Sequence, residues 1–220
     1  MTYILKIILK ILAQATIRKY HPRVVGITGS VGKTSVKNVT AAVLSTITTV
    51  WQGSKNLNNE IGLPLAILGE HDSGYANIFS WLSIFIRAVR QIIFTNVNYP
   101  KVLVLEYGVD HKGDIDYLVS IARPDIAVLT AIAPTHLEFM GSIEAVAREK
   151  IKLISSLSAT GIAILNADDS RVLEAKNKTS ARVFTYGFSE MADVNADSIS
   201  YRRDDQDNVF GVQFKIATQG

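Results

Sequence analysis

The chain has no cysteine among its 220 residues, which excludes disulfides and thiolate metal sites. That composition is compatible with a reducing cytoplasm, at whose inner membrane face the chain could also work. There are only five prolines, and no Pro-, Gly- or Ser-rich linker or internal repeat breaks the sequence. One sizeable domain, or one domain with a fragment attached, is the expectation for this length. Charge of one sign is not concentrated anywhere: 23 Lys and Arg face 20 Asp and Glu, for a net charge of +3. Without a basic block interleaved with aromatics, no nucleic-acid partner is expected. Long apolar runs are also missing. Tyr3 to Ala13 is interrupted by Lys6 and Lys10, and Ile78 to Phe94 by Arg87 and Arg90. The first is shorter than the about 20 residues a spanning helix needs, and central arginines make the second costly to insert. The first also lacks the small-residue cleavage site of a signal peptide. Both read as amphipathic helices packed on the domain or a partner, with peripheral membrane contact as the alternative.

An apolar share of 48% is enough for a buried sheet with helices around it. Predicted strands are Val24–Thr28, Thr48–Trp51, Val102–Glu106, Ile126–Thr130, Ile162–Asn166 and Val183–Tyr186. Predicted helices lie near Ser35–Ser45, Phe79–Phe94, Ile115–Ala122, Ile143–Leu157 and Ser170–Lys176. Continuous apolar strands alternating with helices predict an α/β fold with a doubly wound, mostly parallel sheet. Ser198–Arg203 and Val209–Ile216, joined by a polar turn, predict a small antiparallel hairpin at its edge.

The most specific segment is Gly26-Ile27-Thr28-Gly29-Ser30-Val31-Gly32-Lys33-Thr34-Ser35. It follows the apolar Val24-Val25 and precedes an expected helical stripe of Val36, Val39, Val43 and Ile47. A glycine loop between strand and helix can turn backbone N–H groups around phosphate oxygens, with the helix dipole adding positive potential. Lys33 can reach terminal phosphates and the Thr34 hydroxyl can ligate magnesium. Ile27 stands where the usual phosphate-loop pattern has its first glycine. A nucleoside triphosphate is the expected ligand, against the plainer reading of a glycine-rich turn bearing a surface lysine.

Other candidates sit at predicted strand ends, where open α/β sheets bind ligands. Glu106 could hold magnesium or be an ordinary strand-end charge. His136, in Ala133-Pro134-Thr135-His136-Leu137-Glu138, could ligate a metal or be a hydrogen-bonded loop histidine. Lys150 shares a helical face with apolar Val146, Ala147 and Ile154, while Glu149 and Lys152 are expected to point elsewhere. An inward lysine is snorkelling, paired or functional. Asn56, Asn58 and Asn59 suit a substrate loop or a structural turn. Asn166-Ala167-Asp168-Asp169 could touch base or ribose, or cap a helix.

Taken together, Gly26–Ser35, Asn56–Pro64, Leu105–Gly108, Thr130–Glu138, Lys150 and Leu165–Asp169 resemble the central ATP-binding domain of the Mur ligase family. The wording is closest to the MurF branch, whose members add D-alanyl-D-alanine to a UDP-N-acetylmuramoyl tripeptide in peptidoglycan synthesis. The resemblance implies an ATP-dependent amide-bond ligase that passes through an acyl phosphate. By it, Gly29, Ser30, Gly32, Lys33, Thr34, Ser35, Asn59, Asn166 and Asp169 would contact ATP. Lys33, Glu106, His136 and Lys150 would be catalytic. Thr34, Glu106, His136 and Lys150 would hold magnesium, with Lys150 carbamylated. It also implies the UDP-MurNAc peptide and D-alanyl-D-alanine as substrates, and a monomer. Residues 1–22 would be an apolar helix, and residues 23–220 a central domain truncated before the C-terminal ligase domain. The alternatives are a folylpolyglutamate- or cyanophycin-type ligase of the same superfamily and a non-catalytic nucleotide-binding module.

Overall fold

The computed structural model describes residues 2–54, 57–70, 78–135 and 137–218. Eight strands form one sheet in the order β2-β3-β1-β4-β5-β6-β7-β8. The strands are β1 (Arg23–Thr28), β2 (Val50–Gln52), β3 (Val102–Glu106), β4 (Ile126–Leu129), β5 (Ile162–Asn166), β6 (Arg182–Gly187), β7 (Val194–Arg203) and β8 (Val209–Thr218). All neighbours pair in parallel except β7 and β8, which close the edge as an antiparallel hairpin. The expected fold class is therefore the observed one.

Alternation along the strands assigns the two faces. Val24, Leu103, Leu105, Ala127, Leu129, Ala163 and Leu165 join one core cluster, while Val25, Ile27, Val104 and Val128 join the other. The larger cluster packs against α1 (Thr2–Tyr20), α3 (Gly62–Ile67), α5 (Asp114–Ile121) and α7 (Ile143–Ser155). The smaller lies under α2 (Lys33–Leu44). The remaining helices are α4 (Ile78–Ile93), α6 (Leu137–Met140) and α8 (Ser170–Leu173). The predicted helix Ser170–Lys176 divides, because its second half, Glu174–Lys178, tightens into a 3-10 turn.

Two expectations are corrected. The apolar stripe predicted on α2 is not its buried side: Val39 and Val43 are exposed, as is Ile47 beyond the helix end. Lys37 and Ala41 face the sheet instead, with Val36 and Leu44 partly covered. The helix is rotated to carry Lys37 inward, for a reason visible at the site. Glu149 does not point away from the core either. It is buried, and its Oε1 accepts the backbone N–H groups of Gly113 and Ile115 at 3.0 and 3.2 Å, satisfying the N-terminus of α5. Its other oxygen pairs with Lys152 at 2.7 Å.

Candidate functional site

The connections leaving β1 and β3 diverge: β1 leads through α2 toward β2, and β3 leads through α5 to β4 on the far side. Such a switch point opens a crevice at the carboxyl ends of the strands. The register sets what faces it. Ile27 pairs with Glu106, so the Glu106 carboxylate lies beside the start of the glycine loop.

The loop keeps its shape through glycine and a threonine clamp. Gly29 has φ +148°, and a Cβ there would lie 1.9 Å from Thr130 Oγ1. Thr130 Oγ1 donates to the Val31 carbonyl at 2.7 Å, and the Ser30 hydroxyl donates to the Ala133 carbonyl at 3.0 Å. Gly32, at φ +86°, precedes the first residue of α2. The helix N-terminus therefore aims its N–H groups and dipole at the loop. Gly29→Ala is expected to displace the loop, destabilise the chain by roughly 1–3 kcal/mol and abolish tight nucleotide binding. Urea unfolding and a titration with MgATP check the two parts.

Three elements, α2, α7 and β3, bring charge to this loop. Lys33 Nζ donates to the Gly29 carbonyl at 2.8 Å, and Lys150 Nζ reaches the same oxygen at 3.0 Å. Two ammonium groups meeting at one carbonyl, next to a helix N-terminus, make a strongly anion-attracting point. Lys150 is only 2% exposed. Burial first, and the Lys33 charge second, lower its pKa to about 8, against the opposing pull of Asp110, Glu106 and Glu149. Snorkelling is excluded for Lys150, since its ammonium is aimed into the fold.

Glu106 collects the polar partners on the other side of the loop. Thr34 Oγ1 donates to its Oε2 and Asn58 Nδ2 to its Oε1, each at 3.0 Å. Lys37, which sequence reasoning missed, sits 3.8 Å from Oε2 and donates to the Gly53 carbonyl at 2.6 Å. At 1% exposure, desolvation lowers its pKa while Glu106 opposes that shift. The available signal was spacing: Lys37 follows Lys33 by four residues, one helical turn along the same side. Lys37→Met is expected to cost about 3 kcal/mol, because it leaves Glu106 buried without its cation. The urea midpoint of the variant measures this.

The Thr34 hydroxyl and Glu106 carboxylate are hard oxygen donors, suited to magnesium rather than to a soft metal. Among the described residues no group of three or more His, Asp or Glu gathers as a self-sufficient metal cage. That donor set fits magnesium, which commonly takes one or two carboxylates and completes its shell with phosphate and water. His136, and Asn56 of the asparagine loop, lie outside the described residues.

The other expected residues fall as follows. Ser35 is exposed in the first turn of α2. Asn59 accepts the N–H groups of Ile61 and Gly62, setting the turn into α3, and its side of the loop lines the crevice. Asp169 caps α8 through the N–H groups of Arg171 and Val172, and its second oxygen accepts the Ile132 N–H at 2.7 Å. It ties the end of β5 to the loop after β4. Asn166 accepts the Asp168 N–H. A cleft of about 860 Å³ continues from Lys33 and Lys150 to Asn58, Asp110 and His111, and its far wall is α1 with Lys6 and Lys10.

The chain as a whole is similar to proteins of known kind. The Mur ligase middle domain matches residues 27–79 and 88–219. The UDP-N-acetylmuramoyl-tripeptide--D-alanyl-D-alanine ligase of Bacillus subtilis (strain 168) is 32% identical over 189 residues, covering 86% of this chain and 35% of that protein. The Escherichia coli (strain K12) ligase of the same name is 38% identical over 160 residues, covering 71% of this chain and 29% of that protein. Among solved structures, the MurF ligase of Thermotoga maritima in complex with ADP superposes with a TM-score of 0.71 at 28% identity, over 90% of this chain and 40% of that one. The chain thus spans about a third of the length of the curated relatives it matches. By this match, carried over most of its length, the chain belongs to the Mur ligase family and corresponds to that family's middle domain.

Proposed function

We propose that this chain is the ATP-binding unit of a D-alanyl-D-alanine-adding ligase of peptidoglycan synthesis. One observation carries the reading: Lys33 and Lys150 converge on Gly29 while Thr34 and Asn58 converge on Glu106, in a crevice continuous with a large cleft. In this reading residues 23–220 are the nucleotide-binding domain and residues 1–22 a helix docked on it. Lys33 neutralises the β- and γ-phosphates of ATP. Gly29, Ser30, Gly32 and Ser35 shape the phosphate cradle. Thr34 and Glu106 hold magnesium, which when bound would neutralise charge on the terminal phosphates. Asn59, Asn166 and Asp169 form the nucleotide's surroundings, Asp169 by holding two loops in place.

The carboxylate of a UDP-MurNAc tripeptide lies in the cleft and attacks the γ-phosphorus, giving an acyl phosphate and ADP. The amine of D-alanyl-D-alanine then attacks the acyl carbon and expels inorganic phosphate. No enzyme nucleophile takes part, so the protein contributes positioning and fixed charge. Lys150 has a role that its lowered pKa supports. Near neutrality an appreciable share of its amine is uncharged and open to carbon dioxide, and the resulting carbamate would turn a buried cation into an anionic ligand. That carbamate and His136 would together hold a second magnesium. The chain acts as a cytoplasmic monomer in this account.

The test places this chain in a full-length family ligase in place of its middle domain, supplies MgATP, UDP-MurNAc tripeptide and D-alanyl-D-alanine, and follows ADP and the peptide product by mass spectrometry. ADP release that depends on the tripeptide is the expected result. MgATP binding with no response to any carboxylate substrate would leave a nucleotide-binding module instead.

A further inference from the structure

α1 and α4 each present an apolar stripe on the side away from their buried residues. In α1 the buried positions are Leu9, Ala13 and Thr16, while Ile4 and Ile8 are 63 and 39% exposed and Ile11, at 57%, stands where this face meets the rim of the cleft. In α4 Ile84 and Ala88 are buried, while Leu82, Ile86, Val89 and Ile93 are exposed at four-, three- and four-residue spacing. Helical periodicity places each exposed set on one face. The helices are held together: Lys19 Nζ donates to the Gln91 and Ile92 carbonyls, and Tyr20 Oη to that of Gln91. Their C-terminal ends therefore meet.

Charge accompanies these stripes with one sign only. Neither helix contains an acidic residue, while together they carry Lys6, Lys10, Arg18, Lys19, Arg87 and Arg90. Lys6 and Arg87 turn aside to Glu60 and Glu70 of neighbouring segments. Arg18 and Arg90 are exposed, and the contacts of Lys19 and Tyr20 with Gln91 put them near the same end of the pair. Arg18 also continues the α1 stripe, seven residues beyond Ile11.

We propose that the outer faces of α1 and α4 dock the chain on an anionic lipid bilayer. Leucine, isoleucine and valine enter the acyl boundary shallowly, while Arg18 and Arg90 meet headgroup phosphates. Among the described residues no helix is long and apolar enough to cross a membrane, so the contact is with the surface. A second copy fits this face poorly. A two-fold interface brings a patch onto itself, and here basic groups would oppose basic groups with no acid on either helix to answer them.

The experiment is flotation of the whole chain with vesicles of phosphatidylcholine alone or mixed with phosphatidylglycerol. The chain floats with the anionic vesicles, less so in high salt and little with the neutral ones. Ile8→Glu with Ile86→Glu abolishes flotation. Arg18→Ala and Arg90→Ala each weaken it about fivefold. Unchanged MgATP binding and thermal transition show that the variants stay folded. Absence of wild-type flotation overturns the proposal, as does equal flotation by the glutamate variant. A concentration-dependent dimer in sedimentation, lost in the glutamate variant and unaccompanied by lipid binding, assigns the face to a second copy instead.

Discussion

Lys33→Ala is expected to lower MgATP affinity by about 10- to 100-fold, the worth of a hydrogen bond from a charged donor to phosphate. The substitution removes one of the two ammonium groups that meet at Gly29 without touching the core. Fold and stability should be nearly unchanged, so the loss belongs to the ligand. Isothermal titration of wild type and variant measures it. Equal affinities would mean that the loop does not hold the terminal phosphates, and the reading of the crevice would fail with it.

Lys150 should give the second large effect, and pH reveals it. Its pKa stands at about 8 in the fold against 10.5 when unperturbed. The folded state therefore releases this proton before the unfolded chain does. Without carbon dioxide, the penalty for burying the charged amine is present in full below pH 8. It is relieved as pH climbs from 8 toward 10.5. Relative to Lys150→Met, the wild type should gain on the order of 3 kcal/mol across that window. The comparison cancels the tyrosines, such as Tyr107, whose pKa values burial raises. Supplying labelled bicarbonate should add a carbamate carbon signal in the NMR spectrum of the wild type and none in the variant. If the chain forms product, Lys150→Ala should lose most of its activity. Parallel stability curves would mean that burial does not lower the Lys150 pKa, and diverging curves with no carbamate signal would make Lys150 an ordinary buried lysine.

Much of this was legible before any coordinates. β3 and β5 fall on their predicted residues because parallel strands inside a sheet are uninterrupted apolar runs with polar ends. Lys150 announced itself by sitting at the spacing of a buried stripe. Elsewhere local pattern lost to the site. Val39 and Val43 imitate a core face, but α2 is turned so that Lys37 can reach Glu106, and the valines remain outside. Glu149 sits next to Lys150 and reads as a solvent charge. It is buried because it serves the unpaired N–H groups of α5, a partner more than thirty residues away in sequence. The short α3, Gly62-Leu63-Pro64-Leu65-Ala66-Ile67, was not predicted as a helix. Its glycine and proline suggest a loop, whereas burial of all six residues and the Asn59 side chain at its start hold it helical. Asp169 was open between nucleotide contact and helix cap, and the fold gives it the cap.

ATP and magnesium are expected to meet at Lys33, Thr34 and Glu106. Crystals of the chain grown with magnesium and a non-hydrolysable ATP analogue would test that directly. The expected map has the γ-phosphate within hydrogen-bond reach of Lys33 Nζ and the metal on Thr34 Oγ1, with Glu106 in its coordination shell directly or through one water. A nucleotide ordered elsewhere, or one bound while Thr34 and Glu106 still hold each other at 3.0 Å with no metal beside them, would contradict it.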